Sequence, residues 1–355
     1  MIRINIIKTS VLIASAITVS ACSSFGYYMD LMAGHSELLE QRKPVAEILA
    51  DRNTKLKLRN LLETSQNIRD FASKSLDLPD NDSYRMYADL KRRYAVWNVV
   101  AAKEFSIEPK KWCFLFIGCL SYRGYFSKAD AAAYASELKK EGYDVYVAGA
   151  MAYSTLGWFD DPLLNTMMVK SEAHRAGIVF HELAHQVVYI DNDSAFNEAF
   201  ATAVEEEGIR RWLLNKGQHD QYQAYLLDKK RDSELNQLLQ VTREKLKQLY
   251  KSKKSVVEKR REKKYIFAFM QKKYSQLKKS WNGYNAYDKW MSQELNNSHL
   301  LLIATYHDLV PFFKNLLIEQ NNKLPNFYAA VRELGELDKE VRKTKYHQIN
   351  RIVKK

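Results

Sequence analysis

The stretch Val179-Phe180-His181-Glu182-Leu183-Ala184-His185-Gln186 restricts this chain more than any other. Its apolar background favours a helix, and on a helix His181 and His185 lie one turn apart on the same face. Two imidazoles at that spacing can hold one Zn2+ at about 2.0–2.1 Å each. Glu182 stands beside the first of them, where it can poise a water and take its proton. Alone, the pattern also suits a chance match in which the histidines cap or pack a helix.

The following residues narrow that choice. Asp191-Asn192-Asp193-Ser194 reads as a loop, with Asp193 or Ser194 as the cap of a second helix over residues 195–208. Helix, turn and helix return Glu198 across the two histidines as a third ligand. Three protein ligands leave one tetrahedral position open, as a hydrolytic zinc requires. A closed structural site would want four ligands, and Cys113 and Cys119 lack that spacing. A helix glutamate is usually solvated, but Glu198 sits between Phe196 and Phe200. Glu205, further along the helix, reads either as a surface charge or as a carboxylate that orients a ligating histidine.

H-E-L-A-H followed by F-N-E-A-F-A resembles the gluzincin metallopeptidases. The second segment is similar to the N-E-G-F-A helix of the alanyl-aminopeptidase group, with Ala199 in place of Gly and a shorter gap between the segments. The chain as a whole resembles a bacterial family of predicted aminopeptidase lipoproteins. That likeness is carried by Leu78 to Leu90, Val96 to Ala102, Trp112 to Cys119, Tyr122 to Phe126, Ala152 to Leu164 and the two segments with His181, His185 and Glu198. It implies one zinc ion, a peptide substrate and aminopeptidase action. It also implies a downstream Tyr or His against the developing oxyanion. Tyr306 and His307 are the candidates, the alternative being a core tyrosine beside an exposed histidine.

The N-terminus reads as a targeting segment. Arg3 and Lys8 precede a short apolar run from Val11 to Val19, and Val19-Ser20-Ala21-Cys22 reads as a lipobox. An ordinary signal peptide or an uncleaved anchor helix is the alternative, although a spanning helix needs about 20 apolar residues. An acylated Cys22 would place the protein on a lipid membrane in the bacterial cell envelope. Ser23 and Ser24 follow Cys22, with no Asp at the second mature position. Resemblance to Gram-negative lipoproteins then implies the outer membrane, facing the periplasm. In that oxidising compartment Cys113 and Cys119 read as a disulfide across a tight turn, or else as two buried thiols.

Twelve glycines and six prolines in 355 residues argue for helix and against an all-β chain. The expected fold is α+β and helix-rich: a gluzincin-like zinc metallopeptidase core with a small mixed sheet and a mostly helical C-terminal half. Residues 1–21 read as the lipoprotein signal peptide, 22–93 as an N-terminal helical segment, 94–215 as the metallopeptidase core and 216–355 as a helical C-terminal region. Val96 to Val100, Trp112 to Leu120 and Tyr143 to Val147 read as strands of the only sheet, around a helix from Lys128 that ends at Gly142. Ala152, Tyr153, Ser154, Thr155, Leu156 and Gly157 read either as a sheet edge that pairs with substrate backbone or as a buried connection. Asp160-Asp161-Pro162 reads as a turn, its acids solvated or facing a substrate amine.

The formal net charge is +13, and residues 229–264 are strongly basic. No nucleic-acid motif accompanies the charge, so nucleic acid is not an expected partner. The basic stretch reads as a solvated helical arm, or as a contact for an anionic membrane. The expected function is a membrane-anchored zinc peptidase, an aminopeptidase by resemblance. An endopeptidase of the same mechanism, or a non-catalytic zinc-bearing lipoprotein that binds peptides, are the alternatives.

Overall fold

The computed structural model describes residues 26–352, apart from 115–117, 156–158, 170, 192 and 305–308. The chain is helix-rich with small sheets, an α+β arrangement. Helix α1 is described over 26–40, followed by α2 (Val45–Ala50) and α3 (Leu56–Leu76). Residues 22–93 are not purely helical, however. The short strands β1 (Lys43–Pro44) and β2 (Met86–Ala88) pair antiparallel, and β2 pairs in parallel with β8 (Leu163–Leu164). This small mixed sheet escapes the sequence because two- and three-residue strands carry no period.

The second sheet is antiparallel, in the order β6 (Arg123–Tyr125), β3 (Val96–Lys103), β7 (Tyr143–Ala150). β3 is its centre and is buried on both faces. Val99 and Ala101 face Ala131, Ala135 and Leu138 of α4 (Lys128–Lys140), while Val100 and Ala102 face Leu301 of α10 (Asn297–Ala304). That double cover explains a nearly unbroken apolar strand. Helix α4 is followed by Gly142 at φ +86°, a left-handed position that glycine takes without a steric penalty. The expected strand over Trp112 to Leu120 is instead a separate hairpin, β4 (Trp112–Phe114) with β5 (Gly118–Leu120). Cys113 and Cys119 face each other in its register and are joined by a disulfide.

Helices α5 (Glu172–His185) and α6 (Ser194–Asn215) pack as a pair at the centre of the largest core. That core draws on α3, on α11 (Val310–Glu319) and α12 (Leu324–Gly335), and on Tyr346 of α13 (Lys339–Ile352). Phe196 and Phe200 of α6 meet Phe313, and Phe200 also meets Phe327 and Tyr328.

The basic stretch forms a long hairpin, α7 (His219–Lys251) and α8 (Val256–Ser280), with an apolar seam including Leu239, Leu246, Phe267 and Met270. It is not a free arm. Arg260 bonds Glu104 at 2.5 Å, and Lys263 bonds Asp144 at 2.6 Å, which docks the hairpin on the β3–β7 end of the sheet. Among the described residues no helix is long and apolar enough to cross a membrane.

Candidate metal centre

Helix α5 starts where the Ser171 hydroxyl accepts from the His174 N–H at 3.3 Å, a side-chain cap. Glu172, in its first turn, accepts from Trp212 Nε1 at 2.9 Å and Lys216 Nζ at 2.5 Å, near the far end of α6. The two helices are therefore antiparallel and tied at one end. At the other end Asn197 clamps the connecting turn. Its Oδ1 accepts from Ile190 N and its Nδ2 donates to Ile190 O, each at 2.8 Å. Asp193, 6 % exposed, receives Arg342 at 2.9 Å and Lys339 at 3.3 Å from α13. It precedes α6 but makes no side-chain cap bond, and Ser194 is already helical.

The clamp sets Glu198 facing both histidines. His181 Nε2 lies 3.3 Å from Glu198 Oε2, and His185 Nε2 lies 3.9 Å from Glu198 Oε1. One ligand atom from each residue falls within 4.8 Å of the others. Ligands 2.0–2.1 Å from a tetrahedral ion are roughly 3.3 Å apart, so small rotamer adjustments would bring this N, N, O set to bonding distance. Glu205 Oε2 sits 3.1 Å from His181 Nδ1, and a proton held there would leave Nε2 as the nitrogen available to an ion. The buried His185 Nδ1 has no hydrogen-bond partner among the described residues. The donor set fits zinc.

Two glycines let the helices approach this closely. A Cβ on Gly177 would stand 2.9 Å from Ile209 Cδ1 and 3.1 Å from Glu205 Oε1, and one on Gly208 would stand 2.6 Å from the Phe180 ring. Of three consecutive glutamates only Glu205 reaches His181. Glu206 pairs with Lys229 and Lys314, and Glu207 with Arg210 and Arg211.

The electrostatics follow from crowding these charges together. Burial opposes a charge on His181, yet its bonds to Glu198 and Glu205 outweigh it and push its pKa well above the ordinary histidine range. Burial and the neighbouring His181 charge push His185 down to about 4. Burial, with Glu198 and Asp161 nearby, pushes Glu182 up to about 7, while His181 and a Ser154 hydrogen bond pull the other way. A carboxyl poised there can both take and give a proton at neutral pH.

The remaining sequence candidates are placed less uniformly. Residues 152–155 are not a strand; the sheet's edges are β6 and β7, and β7 ends at Ala150. The chain there turns to wrap Asp161. Ser154 Oγ donates to Asp161 Oδ2 at 3.0 Å, and Thr155 N and Oγ1 donate to Asp161 at 2.9 Å each. Asp161 is therefore no solvated turn acid, being 2 % exposed. Tyr153 packs edge-on against Phe126 and reaches His35 Nδ1 at 3.4 Å, and Ala152 is half-buried. Leu156, Gly157, Tyr306, His307 and Cys22 lie outside the described residues.

Tyr122, in the turn between β5 and β6, escapes a sequence reading of the site. Burial pushes its hydroxyl up to about 12, and Glu198, Tyr189 and Glu182 are close enough to add to that. Tyr189 flanks the centre with its ring 6.3 Å from that of His185. The only sequence signal for Tyr122 is its place in the Tyr122 to Phe126 stretch.

Over residues 26–346 the chain matches the family described as "Putative aminopeptidase". It belongs to that family, whose description points to a peptidase. No curated protein and no solved structure matches the chain.

Proposed function

We propose that the protein is a zinc-dependent peptidase of the gluzincin kind, acting as an aminopeptidase. The carrying observation is the convergence of His181, His185 and Glu198 beside a half-buried Glu182, which desolvation pushes up to about 7. His181, His185 and Glu198 would hold the ion. Zinc, when bound, supplies Lewis acidity that polarises a carbonyl and acidifies water. Glu182 takes the proton of the attacking water and returns it to the leaving amine. Tyr122, protonated at neutral pH and close enough to Glu198 and Glu182 to feel their charge, is the candidate hydrogen-bond donor for the developing oxyanion, a role the resemblance assigned to Tyr306 or His307. Glu205 keeps the His181 ring in its tautomer.

Asp161 supports an endopeptidase as the second reading. Its carboxylate is filled by Ser154 and Thr155, so it is not free to receive a substrate amine. The test is incubation of the zinc-loaded mature protein with free and N-acetylated peptide libraries, read by mass spectrometry. Sequential loss from free amino termini alone is the expected result. Internal cuts in both sets would make it an endopeptidase, and no cuts at all would make it a binding protein.

The reading of Val19-Ser20-Ala21-Cys22 as a lipobox supports a site for this chemistry in the cell envelope, on an acylated Cys22 and facing the periplasm. Cytosolic peptides would then be out of reach, and peptides of the envelope would be the substrates.

A further inference from the structure

The hairpin of α7 and α8 carries side chains that its own packing does not use. Leu239, Leu246, Phe267 and Met270 fill its seam. On α8, Val257, Arg261, Tyr265 and Phe269 recur every four residues and so form one row. Val257 is 75 % and Tyr265 70 % exposed. Lys245 Nζ of α7 lies 4.6 Å from the centre of the Phe269 ring and Lys273 Nζ 5.5 Å, while the Tyr265 ring is 6.5 Å from that of Phe269. Val241, one turn before Lys245, is exposed as well. The two helices therefore share one surface, in which apolar and aromatic groups are set among cations. We propose that this surface is a docking site for an anionic lipid membrane. The proposal depends neither on zinc nor on an acylated Cys22.

Charge points to the partner. Residues 241–273 contain thirteen Lys and Arg against three acids, Glu244, Glu258 and Glu262, so a net ten of the chain's formal +13 lies on this part of the hairpin. The acids are already engaged. Glu262 accepts from Lys254, Glu244 pairs with Lys247, and Glu258 closes the cap of α8 with Ser255. Lys245, Lys251, Lys253, Arg261, Lys264 and Lys273 have no carboxylate within ion-pair distance among the described residues.

The apolar groups between these cations favour a membrane over a soluble polyanion. A bilayer surface sets a charged headgroup layer above an apolar one. Long lysine stems can leave their ammonium groups at the phosphates while Tyr265 and Val257 reach below them. A soluble acidic partner offers the charge without the layer. The turn between the helices repeats the pairing, with Val256, 51 % exposed, and Val257 close behind Lys253 and Lys254. The hairpin is also braced to present this face. Lys229 of α7 meets Glu206 of α6 at 2.7 Å, and α8 is tied to the sheet through Arg260 to Glu104 and Lys263 to Asp144. A membrane on the hairpin would therefore hold α6, with its candidate ligand, at a fixed attitude to the lipid. Such a contact is reversible and screened by salt.

The test uses the chain from residue 22 onward with Cys22→Ala, which keeps every described residue and removes acylation. It is floated with vesicles of phosphatidylcholine, either alone or with about one part in three of phosphatidylglycerol. Binding should require phosphatidylglycerol and weaken as salt rises. Lys245→Gln combined with Arg261→Gln and Lys264→Gln should weaken it by roughly 10- to 100-fold. Lys55→Gln combined with Lys57→Gln and Lys323→Gln removes the same charge elsewhere and should leave it unchanged. Val257→Ser with Tyr265→Ser keeps the charge and should still weaken binding by roughly 10-fold. An environment-sensitive dye on Val257→Cys should shift to the blue on these vesicles, and one on Lys57→Cys should not. Equal binding to both vesicle types, losses that follow net charge wherever it is removed, or an unshifted dye at position 257 would each overturn the proposal. Full binding by the serine variant would overturn it too, and would assign the face to a soluble acidic partner.

Discussion

The Glu205 carboxylate meets His181 Nδ1 at 3.1 Å from two helical turns beyond Glu198 on α6. One helix thus addresses both nitrogens of one imidazole, Nε2 through Glu198 at 3.3 Å and Nδ1 through Glu205. The ring has little freedom left. Removing Glu205 should therefore loosen the metal without removing a ligand. Glu205→Gln is expected to weaken zinc affinity by about 10- to 100-fold. Competition with a chromophoric chelator measures this, and unchanged affinity would show that His181 needs no orienting partner.

Glu182→Gln should separate holding the metal from using it. Glutamine keeps the shape but cannot take a proton, so hydrolysis should fall by roughly 10²-fold or more with zinc retained. Full activity in this variant would reject Glu182 as the base.

Gly177 tests the helix approach from the opposite helix. An added methyl would meet Ile209 Cδ1 at 2.9 Å and Glu205 Oε1 at 3.1 Å. In an unconstrained helix Gly→Ala stabilises by about 0.5–1 kcal/mol. Here Gly177→Ala should destabilise the protein and lower zinc affinity together. Denaturant melts and zinc titration check both, and a stabilised protein with intact affinity would contradict the packing described above.

His299 supplies a pH signature outside the metal centre. It is 3 % exposed, and burial pushes its pKa down to about 4. The unfolded chain would protonate it near pH 6.5, so the folded state binds fewer protons between the two values. This contribution to stability is present above about pH 6.5 and is lost as pH falls towards 4, at most about 3 kcal/mol in all. Replacing His299 by Gln should flatten that part of the stability profile. An unchanged slope between wild type and variant would mean that His299 titrates alike in both states.

Cys22→Ala should release the protein from membranes and abolish labelling by radioactive palmitate, if Cys22 is the acylated residue. Fractionation of cells expressing each form decides this. A soluble, unlabelled wild type, or a variant anchored equally well, would end the lipoprotein reading.

The candidate site was legible in sequence where its residues are close in the chain and their spacing has one geometric meaning. His181, Glu182 and His185 are within one turn, and Glu198 follows after a single loop. Glu205 was visible only as one of three glutamates, because helix phase alone does not say which of them faces α5. Asp161 was misjudged for a related reason. A turn acid is normally solvated, and nothing local reveals that Ser154 and Thr155 fold back onto it. Tyr122 depends on the β3–β6 pairing to reach the centre, a contact between distant segments that leaves no periodic trace. In the fold, the long helices and β3 were legible from their apolar pattern. The split of Trp112 to Leu120 into a hairpin turns on Gly118, whose φ of +71° a continuous strand would not take. Arg69 is buried at 0 % exposure with no local signal for it in the sequence, because its partners are the carbonyls of Ser83, Pro79 and Asn81.

The bond between Arg342 and Asp193 gives the metal centre an order of assembly. Asp193 borders the turn that returns Glu198 to the histidines, and its carboxylate is satisfied by a helix roughly 150 residues downstream. A ribosome that has completed α5 and α6 has made every ligand but not yet the side chain that quiets the buried acid between them. Until then the ligand turn carries an unpaired charge, which favours an open loop over a closed site. If the site holds zinc as proposed, its capture is expected late, after Arg342 has emerged and docked. A chain ending before Lys339 should accordingly fail to retain zinc, whereas tight binding by that truncated chain would place capture earlier.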